Sequence, residues 1–275
     1  MSPARHRNPV ADGSHVRWGS KDCLLYAVGI GAGADELPYV TENSIGVPQQ
    51  VFPTFAAVIG EMRVDLLGDI DPVMVVHGGQ AITWHCDVPV SAEVEHTDRL
   101  VGRYDKGSGM LLVVEREVSS VDGTPLWTSR TEVFVRGAGG FGGERGPSEP
   151  ATTVPSDRAP DRETTLPTAA NQAYLYRLSG DRNPLHSDPE FARLAGFPAP
   201  ILHGLCTYGI SCRALLQQWG DGMRMTHLGG RFTAPVFPGE SLTIRSWRVD
   251  GDVRFTTSVG DRVVFDRGVA RFSPR

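Results

Sequence analysis

Shifted by 150 residues, the chain matches itself at two separated places, and both matches keep the same offset. Residues 26–31 (YAVGIG) lie over 176–181 (YRLSGD), and residues 51–57 (VFPTFAA) lie over 201–207 (ILHGLCT). A single consistent offset marks two copies of one structural unit. Between the copies, residues 137–170 are rich in Gly, Pro, Ser and Thr and show no apolar periodicity, so they read as a connector. The chain therefore divides into a repeat over 1–136, a linker over 137–170 and a second repeat over 171–275.

Each repeat is expected to run through an opening segment, an irregular loop, one long helix and several strands. In the second, apolar residues recur at Leu205, Tyr208, Cys212, Leu215, Leu216 and Trp219, a helical stripe that Gly220 stops. In the first, Phe55, Val58, Ile59, Met62 and Leu66 predict a matching helix. Strand-like runs follow at 73–88, 109–121 and 127–136, and again at 242–249, 253–259 and 262–272. One long helix and a handful of strands per repeat give an α+β plan, a helix wrapped by a curved antiparallel sheet.

Composition narrows the function. Hydrophobic residues at 40% and charged residues at 21% exclude disorder for most of the chain. The formal net charge is −5 and no run of Lys and Arg forms a basic stripe, which argues against a nucleic-acid partner. Cys23, Cys86, Cys206 and Cys212 lack CxxC spacing and read as reduced, mostly buried thiols. The first twenty residues lack the apolar core of a signal peptide, and no apolar run approaches a membrane span. The final FSPR is not a peroxisomal address, so the expected location is the cytoplasm.

The chemistry concentrates in SGDRNPLHSDPEFARLAG, residues 179–196. Pro184 pushes Asn183 out of the α region and breaks any helix there. A short helix is expected from Pro189 to Gly196, with Ser187 or Asp188 as its cap. Asp181 and His186 thus sit on a turn, where side chains five apart can converge on one point. A carboxylate and a neutral imidazole that converge can hold one water for general acid–base work. Asn183 can fix the loop or touch a ligand. Gly204 opens the long helix, where unpaired N–H groups and the positive dipole end can stabilise an oxygen gaining negative charge, such as a thioester carbonyl becoming an enolate.

These residues closely resemble the motif of the type 2 enoyl-CoA hydratases of the MaoC-like dehydratase superfamily. YAVGIGA, VFPTF, VVHGGQ, DKGSG, RGAGGFGG and RFTAPVFPGESL are similar to further motifs of its two-repeat members, in the same order. The resemblance implies a double hot-dog fold and reversible hydration of a trans-2-enoyl-CoA to a (3R)-3-hydroxyacyl-CoA, without metal or redox cofactor. It implies Asp181 and His186 as the catalytic pair, Asn183 as their support, and the Gly204 amide facing the thioester oxygen. His77, Gly78, Lys106 and Arg231 match family positions that contact acyl-CoA, and the two cations suit the phosphates of CoA on a net-acidic protein. A homodimer is implied as well.

The first repeat departs from the second. Gly31 stands where Asp181 would be, Glu36 opposite His186 and Thr54 opposite Gly204, so one active site per chain is expected, with the first repeat shaping the acyl pocket. GIGAGA at 29–34 fits a dinucleotide-binding pattern, but the following ADELPYVTENSIG has Pro38 and no helical stripe, which excludes it. Two alternatives remain: a hot-dog thioesterase, which also uses a carboxylate and a helix-start amide, and a non-catalytic acyl-binding subunit. The pairing of Asp181 with His186 favours hydration over hydrolysis, and the intact second-repeat motif argues against a subunit without activity.

Overall fold

The computed structural model describes residues 15–60, 68, 70–147 and 154–275. Its strands are β1 (His15–Trp18), β2 (Val75–Trp84), β3 (Ala92–Asp105), β4 (Gly109–Ser120), β5 (Pro125–Arg136), β6 (Arg162–Pro167), β7 (Met223–Phe232), β8 (Ser241–Val249), β9 (Asp252–Val259) and β10 (Arg262–Pro274). Its helices are α1 (Ser20–Gly29), α2 (Leu37–Val40), α3 (Gln172–Tyr176), α4 (Pro189–Leu194) and α5 (Gly204–Trp219). The strands form a single antiparallel sheet in the order β1-β3-β4-β5-β2-β7-β10-β9-β8-β6. The first half supplies one side and the second half the other. They meet where β2 pairs with β7, from Gly79 opposite Arg231 to Thr83 opposite His227.

In the second half, α5 fills the concave face of the sheet, as its stripe predicts. Its sixteen residues make a rod about 24 Å long. Cys206, Tyr208, Ile210, Cys212, Ala214 and Leu215 are all buried in one apolar cluster with residues of both halves. The polar groups on the buried helix are satisfied. Tyr208 donates its hydroxyl to the Leu228 carbonyl at 2.7 Å, and Ser211 donates to the Thr207 carbonyl at 2.8 Å. This helix under a curved sheet is the hot-dog unit.

The first half differs from its expected form. Where a long helix is predicted from Phe55 onward, Pro53–Val58 form one six-residue 3₁₀ helix, and Ile59 at its end has extended backbone. Met62 and Leu66 of the predicted stripe lie outside the described residues. Phe55 and Ile59 are buried in the same apolar cluster as α5, the first from the 3₁₀ helix and the second from the extended residue after it, not as one face of an α-helix. The expected linker also holds structure. Residues 162–167 form β6, which pairs with β8 and closes the far edge of the sheet. Residues 137–146 fold back on the β3–β4 turn, where the Asp105 carboxylate accepts the amides of Gly107, Gly140 and Gly142 at 2.8–2.9 Å.

Glu36, the first-repeat counterpart of His186, has a structural duty. Its carboxylate meets the guanidinium of Arg213 on α5 at 2.5 Å, with only 12% and 7% of the two side chains exposed. Arg213 also donates to the Ile30 carbonyl at 2.7 Å. The pair ties the loop after α1 to the middle of the central helix. Glu36→Ala leaves a buried guanidinium without its counter-charge, so a loss of about 3–5 kcal/mol is expected, read as a lowered midpoint in urea unfolding.

Candidate active site

The loop between α3 and α5 is built by its own side chains. The Asp181 carboxylate accepts the Asn183 amide at 3.0 Å, and the Asn183 side-chain oxygen accepts the Leu185 amide at 3.0 Å. These two Asx turns bring the chain round through Pro184, so Asp181 and His186 face each other. The turn then passes into α4, whose cap is Asp188, with its carboxylate accepting the amides of Glu190 and Phe191.

His186 is buried and Asp181 is exposed. The imidazole Nδ1 lies 2.9 Å from the Ile201 carbonyl. A carbonyl only accepts, so Nδ1 carries the proton and Nε2 presents a lone pair. That Nε2 faces Asp181 Oδ2 across 4.0 Å, a gap one water bridges with two ordinary hydrogen bonds. Burial lowers the His186 pKa below its ordinary value, against the opposing pull of Asp181, and so favours the neutral base.

Gly204 begins α5, and its amide is among those a helix start leaves without an internal partner. A β-carbon at 204 would stand 3.2 Å from the ring of Phe232, so glycine allows close approach here. Phe232 in turn packs edge-on against His77 of β2, with ring centroids 4.9 Å apart. The β2–β7 seam therefore carries a first-half imidazole to the second-half site. His77 Nε2 lies 3.0 Å from the Gly79 carbonyl and 3.1 Å from the Gln80 side-chain oxygen, which fixes its proton on Nε2. Burial lowers its pKa to about 4.

The remaining predicted residues are less central. Gly78 sits at the bulge of β2, between His77 and Gly79, beside the Glu132 backbone. Arg231, opposite Gly79 on β7, pairs with Glu132 at 3.3 Å and keeps 41% of its side chain exposed. Lys106 is in the β3–β4 turn, between Asp105 and Gly109. There its ammonium bonds the Arg145 carbonyl and lies over the Tyr104 ring. Asp181, Asn183, His186, Gly204 and His77 thus form one group, with Arg231 beside it, while the contacts of Lys106 are with Arg145 and Tyr104.

His203 is a member of the site that sequence reasoning passed over. It caps α5 without a side-chain capping bond, is 1% exposed, and stacks on His186 with centroids 3.7 Å apart and planes inclined by 25°. Its Nε2 lies 3.2 Å from the Asp181 carbonyl. Burial, followed by the repulsion of His186, lowers its pKa to about 3. The available signal was a histidine at a cap position where Ser, Thr, Asp or Asn is usual. The donor atoms of Asp181, His186 and His203 lie within 4.8 Å of one another; with Nδ1 of His186 and Nε2 of His203 bonded to carbonyls, Nε2 of His186 and Nδ1 of His203 keep their lone pairs.

Residues 152–266 match the model of the MaoC like domain, and residues 17–137 match that of the MFE-2 hydratase 2 N-terminal domain. The 3-hydroxyacyl-thioester dehydratase Y of Mycobacterium tuberculosis is 43% identical over 93% of both chains. The enoyl-CoA hydratase ChsH3 of the same organism is 40% identical over 84% of both. The chain belongs to the MaoC-like dehydratase family. A crystal structure of a MaoC-like dehydratase from Phytophthora capsici superposes with a TM-score of 0.85 at 31% identity, over 95% of this chain and 94% of that one. The family match and the superposition agree with the double hot-dog architecture of the sheet and α5.

Three histidines held neutral in the folded chain, one buried and two half-buried, give a pH dependence whose sign is fixed. His77 and His227 have pKa values lowered to about 4, and His203 to about 3, all chiefly by burial. In the unfolded chain each takes up a proton near pH 6.5, so below that value the unfolded state binds more protons. Stability from these groups is therefore intact above pH 6.5 and falls as the pH drops towards 4. Thermal unfolding followed by circular dichroism should show Tm steady from pH 8 to 7 and falling from 6.5 to 4.

Proposed function

We propose that the protein catalyses reversible addition of water to a trans-2-enoyl-CoA, giving a (3R)-3-hydroxyacyl-CoA. The observation that carries this reading is the proton-free Nε2 of His186 facing the Asp181 carboxylate across a one-water gap, beside the free amide at the start of α5. The names of its relatives, an enoyl-CoA hydratase and a 3-hydroxyacyl-thioester dehydratase, describe the two directions of one such reaction and support it.

In this reading Asp181 and His186 hold water over C3 of the enoyl group. His186 Nε2 takes one proton as the water oxygen bonds to C3, while Asp181 accepts the second hydrogen in a hydrogen bond. The Gly204 amide stabilises the enolate-like thioester oxygen. The proton then passes from His186 to C2 on the same face, which completes the addition and restores the neutral base. Asn183 maintains the turn. His77 and Gly78 line the acyl-thioester side, and Arg231 and Lys106 attract the CoA phosphates. The reading needs no metal or redox cofactor, because both protons and the oxyanion have partners among these side chains and amides.

A cytoplasmic location and a homodimer belong to the same reading, the first supported by four free thiols and the second by the family resemblance. Neither nucleic acid nor a membrane is a partner in it. Among the described residues no helix is long and apolar enough to cross a membrane.

The decisive experiment follows loss of the conjugated thioester absorbance with short- and long-chain trans-2-enoyl-CoAs, with chiral analysis of the product and a free-thiol assay. Formation of (3R)-hydroxyacyl-CoA without free CoA is expected. Asp181→Asn and His186→Ala should each lower kcat by about 100- to 10,000-fold with little change in KM. Release of free CoA would point instead to thioester hydrolysis, and near-normal turnover in either variant would remove that residue from the mechanism.

A further inference from the structure

We propose that His203 is a positioning residue that sets the spacing of the base, the carboxylate and the oxyanion amide. The inference rests on the hydratase reading above. Three contacts carry it. The imidazole lies face-on against His186 at 3.7 Å between centroids. Its Nε2–H reaches the Asp181 carbonyl at 3.2 Å. Its own carbonyl accepts the amides of Cys206 and Thr207 at 3.0 and 3.2 Å, which starts α5 and orients the next residue, Gly204.

The base is held by one bond to Ile201, which leaves rotation of its ring about that contact to be stopped by packing. His203 covers one face of that ring and so restricts it to the plane in which Nε2 points at Asp181. The bond to the Asp181 backbone holds the exposed end of the loop, where the Asp181 side chain is 45% exposed and its carboxylate accepts the Asn183 amide. A residue fixed at the helix start thus fixes both groups relative to the helix-start amide. Catalysis depends on such distances being held to fractions of an ångström.

The stacked ring also keeps water off one face of His186. The titratable and charged groups facing the two rings are Asp181 in the loop, Tyr176 of α3, Arg177 in the turn that follows it, and His77 of β2, which senses Asp181. Tyr176 packs against His203 with centroids 4.9 Å apart. Neither it nor the other groups cover the face of His186 that His203 occupies, so removing His203 hydrates the base.

The test compares wild type, His203→Phe and His203→Ala as full-length folded proteins, with fold and Tm checked by circular dichroism and kinetics measured with a short trans-2-enoyl-CoA. His203→Phe keeps the ring and its stacking but removes the N–H to Asp181. It should lose at least about tenfold in kcat with KM within about threefold, and the acid limb of its kcat/KM profile should stay in place. His203→Ala should lose more kcat, and its acid limb should move upward by about half a pH unit or more as water reaches His186. A merely structural role would lower Tm without moving that limb. An active wild type with kcat within about threefold in His203→Phe overturns the inference, as does an unmoved acid limb in folded His203→Ala. Should His203→Ala fail to fold, His203→Phe decides alone. A wild type that hydrates no enoyl-CoA would instead overturn the hydratase reading, and this inference with it.

Discussion

The structure depends on the seam where β2 meets β7. Five residue pairs join two half-sheets into one, and the pairing is antiparallel and unbroken from Gly79–Arg231 to Thr83–His227. A β-carbon on Gly79 would stand 3.1 Å from the Gly230 carbonyl across the seam, and on the β10 side a β-carbon on Gly230 would stand 2.4 Å from the Phe265 ring, so both glycines sit where space is short. The same seam aligns His77 of the first half with Phe232 of the second, and Phe232 lies against Gly204. Sheet register therefore decides what the first half can offer the site. A slip of one residue would turn His77 to the opposite face.

The repeat is a symmetry of framework and not of chemistry. Tyr26 and Tyr176, paired by the 150-residue shift, still pack together with ring centroids 6.0 Å apart. Away from that axis the halves diverge. The second half keeps the central helix and its helix-start amide; in the first, Pro53–Val58 form a 3₁₀ helix. Glu36, in the register of the base, is spent on Arg213 of the other half's helix. A buried ion pair of this kind adds little as a pair, but it fixes the orientation of the segment that carries it. The first half thus serves as the clamp and wall for a helix that belongs to the second.

Much of this was legible in the residues. Gly204 and Gly220 bracket α5, Asp188 and Pro189 open α4, and the Asn-Pro step turns the loop, because each is a local rule that the fold had no reason to override. The misses have physical causes. β3 carries seven charged or histidine residues in AEVEHTDRLVGRYD, and so lacks the apolar run that marks its neighbours, although its buried positions alternate with exposed ones at its start. β7 contains the double glycine of the seam, which β-propensity counts against a strand. Over 55–59 the apolar spacing predicts an α-helix where a 3₁₀ turn and an extended residue stand, because burial of Phe55 and Ile59 looks the same in either form. His203 was invisible for a different reason. Its role comes from stacking on a residue seventeen positions earlier, a contact that no spacing rule encodes.

Burial accounts for the division of labour in the site. The wall formed by His203, Tyr176 and the start of α5 removes water from His186 and so favours its neutral, basic form. The same dry wall strengthens the hold of the Gly204 amide on an oxygen that gains charge, because a helix-start dipole is weakly screened there. A carboxylate placed equally deep would be pushed towards its protonated form and would no longer accept a hydrogen bond from water through both oxygens. Asp181 stands on the solvent side of the gap, with nearly half of its side chain exposed. Base and oxyanion donor from the buried side, and carboxylate from the wet side, is the arrangement in which one loop and one helix start can hold a water between opposite demands of solvation.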